Sequence, residues 1–262
     1  MLKYIDTHAH LDAEEFEENL SQVAEDCKAA GAEKVFIPAI HPRGFERMFD
    51  VCSQQPGWAF PMVGLHPEEV NEHYEQDLAD TRTALDTHRS QVIAIGEVGL
   101  DFYWSRDFCN EQLLVFEEQV RWSVETRLPL MIHCRKAQAE MVKILRRYEH
   151  DLPGGVFHCF TGNEQEAREL LSFSQFALGI GGVLTFKKSH LPEVLPAAVP
   201  LTRIVLETDS PYMAPVPMRG KLNTPAYIPY IIARMSEAYG VSEEEVCRQT
   251  TENATRIFLS NN

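Results

Sequence analysis

Two histidines one residue apart, His8-Ala9-His10, open the chain, and four more side chains of metal-ligand type follow: Glu97, His133, His158 and Asp209. In an extended segment side chains alternate, so His8 and His10 face the same side. The four imidazoles and two carboxylates of this set suit Zn²⁺, Mn²⁺ or Fe²⁺, and a carboxylate shared between two ions also admits Mg²⁺. Cys134 and Cys159 directly follow His133 and His158. Alternation is expected to turn both thiols away, into the layer between sheet and helices, which leaves histidine as the ligand. Taken alone, a histidine on an apolar strand is more often a satisfied core residue. The six carry weight only if the fold gathers them.

The elements that must do so can be read from periodicity. Short apolar runs recur at 4–6, 34–40, 59–64, 92–97, 130–133, 155–160, 176–180 and 204–207, each starting 21 to 38 residues after the last. Between them lie helical stripes: Phe16, Leu20, Val23, Cys27; Leu113, Phe116, Val120, Val124; Met141, Ile144, Leu145, Tyr148; and Ala167, Leu170, Leu171. Asn163 with Glu166 and Ser242 with Glu245 read as capping boxes, and Thr224-Pro225 pairs a cap with a first-turn proline. Strands alternating with helices make βαβ units and a parallel sheet. Eight units fit a closed α/β TIM barrel, one (β/α)₈ domain over 1–262, better than an open sheet, and no GxGxxG follows the first strand. The stretch 242–259 is expected to add a last helix against the barrel.

Strand C-terminal ends of such a barrel share one face, where active sites sit. His8 and His10 follow the first strand, Glu97 ends the fourth, and His133 ends the fifth. His158 lies in the sixth, and Asp209 follows the eighth. All six should therefore meet at one mouth.

Composition sets the limits. The 262 residues are 44% hydrophobic with a net charge of −15, which excludes a disordered chain and argues against coating nucleic acid by charge alone. Charge is uneven, net −7 over residues 1–33 and +2 over 186–221. No apolar run approaches the roughly 18 residues of a membrane span. The start Met-Leu-Lys-Tyr-Ile-Asp lacks a signal stretch, so a cytoplasmic location is expected. Six cysteines, no two closer than 25 residues, exclude a CxxC motif and are expected to be reduced.

The motifs Ile-Asp-Thr-His-Ala-His-Leu-Asp (5–12), Gly-Leu-His-Pro (64–67) and Gly-Glu-Val-Gly-Leu-Asp (96–101) resemble those of the TatD family of metal-dependent hydrolases. So do Ile-His-Cys-Arg (132–135), His-Cys-Phe-Thr-Gly (158–162) and Glu-Thr-Asp-Ser-Pro-Tyr (207–212), in family order across nearly the whole chain. The resemblance implies an amidohydrolase-type barrel with two divalent cations, Mg²⁺ for activity with Zn²⁺ or Mn²⁺ as alternatives. It implies a deoxyribonuclease, often a 3′-to-5′ exonuclease, whose partner is DNA as single strands or frayed ends, with no membrane or obligate protein partner. By position, His8, His10, Glu97 and Asp209 resemble the first metal's ligands, and Glu97 would bridge to a second completed by His133 and His158. The chain departs from the family at Thr224, where a glutamate is usual; that residue is not a ligand, so loop order or substrate preference is the point at issue.

Around the metals, Asp209 is the expected general base. Glu207, two residues earlier on the same face, could orient a ligand. Arg135 shares the His133 face and could fork a phosphate; His66 could donate to substrate, with Asp101 orienting it or a ligand. Arg219 and Lys221 are weaker candidates. Tyr103, Trp104 and Phe108 could stack bases, although packing within the loop is the expected use of such aromatics. Two rivals stand beside the nuclease. One is an amidohydrolase-type enzyme acting on a small phosphoester, lactone or amide; the absence of a lysine from the fourth strand tilts against cyclic amides. The other is a non-catalytic metal-bound scaffold.

Overall fold

A computed structural model of the protein describes residues 2–260. The chain runs β1 Tyr4–Asp6, α1 Leu20–Ala30, β2 Ala32–Pro38, α2 Phe45–Gln54, β3 Ala59–Val63, α3 Tyr74–Thr87, β4 Ala94–Asp101 and α4 Cys109–Thr126. It continues β5 Leu130–Arg135, α5 Gln138–Leu145, β6 Gly155–Phe157, α6 Glu164–Leu171, β7 Phe176–Ile180, α7 Leu191–Ala198, β8 Ile204–Leu206, α8 Ile228–Tyr239 and α9 Glu243–Phe258. The strands pair in parallel in sequence order from β1 to β8. The ends of the sheet meet through Thr7 N–H to Leu206 O (3.0 Å), Asp209 N–H to His8 O (2.9 Å) and His10 N–H to Ser210 O (2.8 Å). The expected (β/α)₈ barrel is thus formed. Among the described residues, no helix is long and apolar enough to cross a membrane.

Alternation divides the core into two layers. One side chain per strand, Ile5, Phe36, Met62, Ala94, Met131, Val156, Ala177 and Val205, fills the barrel interior together with Ala254, Ile257 and Phe258 of α9. That helix is the expected extra one, and it stoppers the N-terminal mouth, where Asn253 Nδ2 donates to Leu201 O and Ile204 O. The other face of each strand packs under the helices, against Phe116 and Val120 of α4, Met141 and Leu145 of α5, and Ala167 and Leu170 of α6. These are the residues whose helical spacing marked the stripes.

Several boundaries differ from expectation. β2 starts and ends two residues early, and β4 runs from Ala94 on to Asp101, so Glu97 lies inside it rather than at its end. β5 continues to Arg135, while β6 stops at Phe157 and leaves His158 just beyond. Phe16 belongs to a separate 3₁₀ turn, Glu14–Phe16, because α1 begins only at Leu20. Asn163 and Glu166 form the full capping box. Ser242 accepts the Glu245 N–H but receives no return bond, since the Glu245 carboxylate pairs with Arg248. Thr224 occupies the cap position without a side-chain cap bond.

Candidate metal centre

The β4–β5 register slips between Ile95 and Val98, and this irregularity lies where Glu97 turns into the mouth. Gly99 follows at φ 150°, and a Cβ there would lie 1.8 Å from His133 O; only glycine lets the two strands approach so closely. Glu97 is buried, and its two oxygens face two different groups. Oε2 lies 3.2 Å from His8 Nε2 and 3.7 Å from His10 Nε2. Asp209 Oδ1 completes this first group, 3.8 and 3.7 Å from the same two nitrogens. Oε1 lies 3.0 Å from His133 Nδ1, 3.8 Å from His158 Nε2 and 3.4 Å from His66 Nε2.

Ligand atoms about 2.1 Å from one ion stand about 3.0–3.5 Å from each other, so these separations are close to the edges of coordination polyhedra. His8, His10 and Glu97, and separately Glu97, His133 and His158, are groups that could each hold a cation. The chemistry of the donors agrees. The Nε2 atoms of His8 and His10 lie 3.2 Å apart in a buried site, and burying two imidazole lone pairs face to face is unfavourable without a proton or cation between them. Burial pushes His10 down to about 4 and His8 well below the ordinary imidazole value, so both are neutral and open to ligation.

At His133 burial also opposes the proton, but hydrogen bonds to Asp101 and Glu97 outweigh it and hold the imidazole up to about 9. His158 is raised to about 10 in the same way, burial yielding to Glu207 and Glu97. Glu97 stays well below the usual carboxylate range despite burial, because imidazoles surround it. Burial raises Asp209 to about 7, helped by the charges of Glu97 and Glu207. An imidazole must be neutral to ligate, so a cation entering the second group competes with protons there.

A second ring of groups fixes these. Asp101 Oδ2 sits 2.9 Å from His133 Nε2, so it orients His133 rather than His66. His66 Nδ1 accepts the Glu68 N–H, which leaves the proton on Nε2, aimed at Glu97. Glu207 is fully buried in space vacated by Gly179, where a Cβ would lie 2.1 Å from its Oε2. Its Oε1 accepts the Cys159 N–H and stands 3.0 Å from His158 Nδ1, as expected of an orienting carboxylate.

Two expectations fail locally. Cys159 is not turned away: at φ 49° it breaks the alternation, and it groups with His158 and Glu207. Cys134 does pack against the apolar layer. Arg135, expected on the His133 face at the mouth, stands at the rim with its guanidinium 3.7 Å from the Tyr103 ring centre. Tyr103 and Trp104 are 50% and 66% exposed, and of the three aromatics only Phe108 is packed, against Leu65, Val70 and Val115 outside the loop. Arg219 lies over the Phe186 ring.

Other supporting groups went unread in the sequence. Buried Gln119 and Gln112 of α4 hold the backbones of Leu65 and Asp101 through paired amide bonds, fixing the strand ends that carry His66 and Asp101. Buried Asp6 accepts from His8 N–H and from both the N–H and hydroxyl of Thr208, tying the two chain segments of the first group together. A charged residue inside an apolar strand was the available signal for Asp6; the glutamines gave none.

A sequence profile of the family described as TatD-related DNase matches residues 5–259. An uncharacterized metal-dependent hydrolase of Bacillus subtilis, YabD, is 36% identical over 256 residues, 98% of this chain and 99% of its own. A Cronobacter sakazakii protein named 3′-5′ ssDNA/RNA exonuclease TatD is 31% identical over 98% of each chain. The crystal structure of YjjV, a TatD homologue from Escherichia coli, matches with a TM-score of 0.89 at 27% identity over 97% of both chains.

Proposed function

The chain belongs to the TatD family of metal-dependent hydrolases, and from that premise we propose that it cleaves phosphodiester bonds of DNA, one nucleotide at a time from the 3′ end. The observation that carries the reading is Glu97, one buried carboxylate whose two oxygens face two separate ligand groups. That is the arrangement of a bridge, with His8, His10 and Asp209 on one side and His133 and His158 on the other. Divalent cations held there supply Lewis acidity to a phosphoryl oxygen and to a nucleophilic water. The direction of attack is the one carried in the name of the Cronobacter relative.

The protein's own groups do the rest. Asp209, raised to about 7 by burial and partly open to the mouth, is matched to take a proton from water near neutral pH. The water oxygen bonds to phosphorus, the P–O3′ bond breaks, and the departing 3′ oxygen takes up a proton. His66 offers its Nε2–H to a phosphate oxygen from the side of Glu97. Arg135 offers its guanidinium at the rim, and Asp101 keeps His133 in place.

The test is digestion of end-labelled single-stranded DNA and RNA by purified protein with Mg²⁺, Mn²⁺ or chelator, beside Asp209→Asn. A DNA ladder shortening from the 3′ end, lost in chelator and in the variant, is expected. Absence of cleavage while metals are bound would overturn the proposal in favour of a small ester or amide substrate.

A further inference from the structure

The segment between β4 and α4 presents its aromatic residues in two ways. Phe102 is buried and Phe108 packs against a small cluster with Leu65 and Val115. Between them Tyr103 and Trp104 stand out into solvent, at 50% and 66% exposure, with ring centres 4.9 Å apart and planes at 83°. Large aromatics are usually well covered, so two adjacent exposed ones beside a site call for an explanation.

Their surroundings supply one. The Arg135 guanidinium lies 3.7 Å from the Tyr103 ring centre and 5.0 Å from that of Trp104. Among the described residues, its side chain makes no ion pair or hydrogen bond, in a chain with 39 acidic residues to choose from. Stacking therefore orients this guanidinium while leaving its N–H edges free. Arg106, in the same loop, also has no ion pair among the described residues and lies over Phe102 at 5.6 Å.

The platform is fixed to the candidate metal centre through two short links. Tyr103 N–H donates to Asp101 Oδ1 (2.8 Å), and Asp101 Oδ2 holds His133 Nε2 (2.9 Å). Phe102 N–H donates to Arg135 O, joining the two strand ends.

Resting on the phosphodiesterase reading, we propose that Tyr103, Trp104 and Arg135 form a subsite in which a nucleobase next to the reacting phosphate stacks on the aromatic faces. Arg135 reaches the adjoining phosphate from its stacked position. Stacking uses the π-face that every base possesses, so the subsite takes all four bases. It needs that face uncovered, so it selects single strands and frayed ends over paired DNA.

Trp104 also reports on its own occupancy, because Trp58 and Trp122 are 5% and 4% exposed. The experiment titrates an oligo(dT) chain and an abasic tetrahydrofuran chain of equal length into the Asp209→Asn protein with Mn²⁺, following tryptophan emission and binding. Oligo(dT) is expected to shift the emission and to bind about 5- to 150-fold more tightly than the abasic chain. Replacing both Tyr103 and Trp104 by Ala in the same background should bring oligo(dT) down to the abasic affinity, and Trp104→Phe should keep part of the preference. Equal affinities of the two chains, or a preference that survives replacement of both rings, would overturn the subsite. Failure of the phosphodiesterase reading looks different: wild-type protein with metals would cleave neither chain while still preferring oligo(dT).

Discussion

The two mouths of the barrel are made by the same eight strands and are finished in opposite ways. At the N-terminal mouth α9 inserts Ala254, Ile257 and Phe258 under a ring of apolar side chains. At the C-terminal mouth lie all the buried Asp, Glu and His side chains among the described residues: Asp6, His8, His10, His66, Glu97, Asp101, His158 and Glu207. Backbone strain follows the same division. Among the described residues, four non-glycine residues with positive φ, Lys136, Cys159, Asp209 and Met213, follow strands at the C-terminal mouth, whereas a fifth, Arg127, merely ends α4. One end of the molecule is built to be stable. The other holds desolvated charge and uncommon backbone in place, which costs stability and is usual where chemistry is done.

The contrast can be broken from either side. Asp209→Asn should lower hydrolysis about 10²- to 10⁴-fold while leaving the melting temperature equal or higher, since a buried carboxylate becomes neutral; steady-state rates and thermal unfolding check both. Phe258→Ala should do the reverse. It would cost about 3–5 kcal/mol of stability, read by urea unfolding, with the rate per folded molecule unchanged.

Smaller changes sharpen the division. Glu207→Gln should weaken one of the two proposed metal sites about 10- to 100-fold, because His158 loses its orienting carboxylate; competition with a chromogenic chelator would show it. A variant that weakened both sites equally would show that Glu207 acts on more than His158. Ser242→Ala, at the start of the stoppering helix, should cost about 1 kcal/mol through its single cap bond and change neither rate nor metal content.

How far the sequence reached follows the same boundary. The apolar strands, the helical stripes and α9 were legible because burial imposes periods of 2 and 3.6. His8, His10 and Asp209 were legible because they follow strands whose direction the barrel dictates. Reading failed where local geometry departs from those periods. β4 resumes its pairing with β5 after the register slip and runs on to Asp101, which leaves Glu97 inside the strand, and the left-handed turn at Cys159 reversed the side expected for its thiol. Arg135 lies on the face that alternation assigns it, at the rim, against the exposed rings of Tyr103 and Trp104. Gln112 and Gln119 carry no one-dimensional signal, since their role is to satisfy backbone groups 11 and 54 residues away.

The central claim is that Glu97 joins two cation sites at the C-terminal mouth. Metal content measures it directly: wild-type protein and the Glu97→Ala, His10→Ala and His158→Ala variants, each loaded with Mn²⁺ or Zn²⁺, dialysed, and analysed by mass spectrometry of the metal. The account predicts about two ions per chain in the wild type, about one in each histidine variant, and loss of both in Glu97→Ala. Full metal content in Glu97→Ala would contradict it.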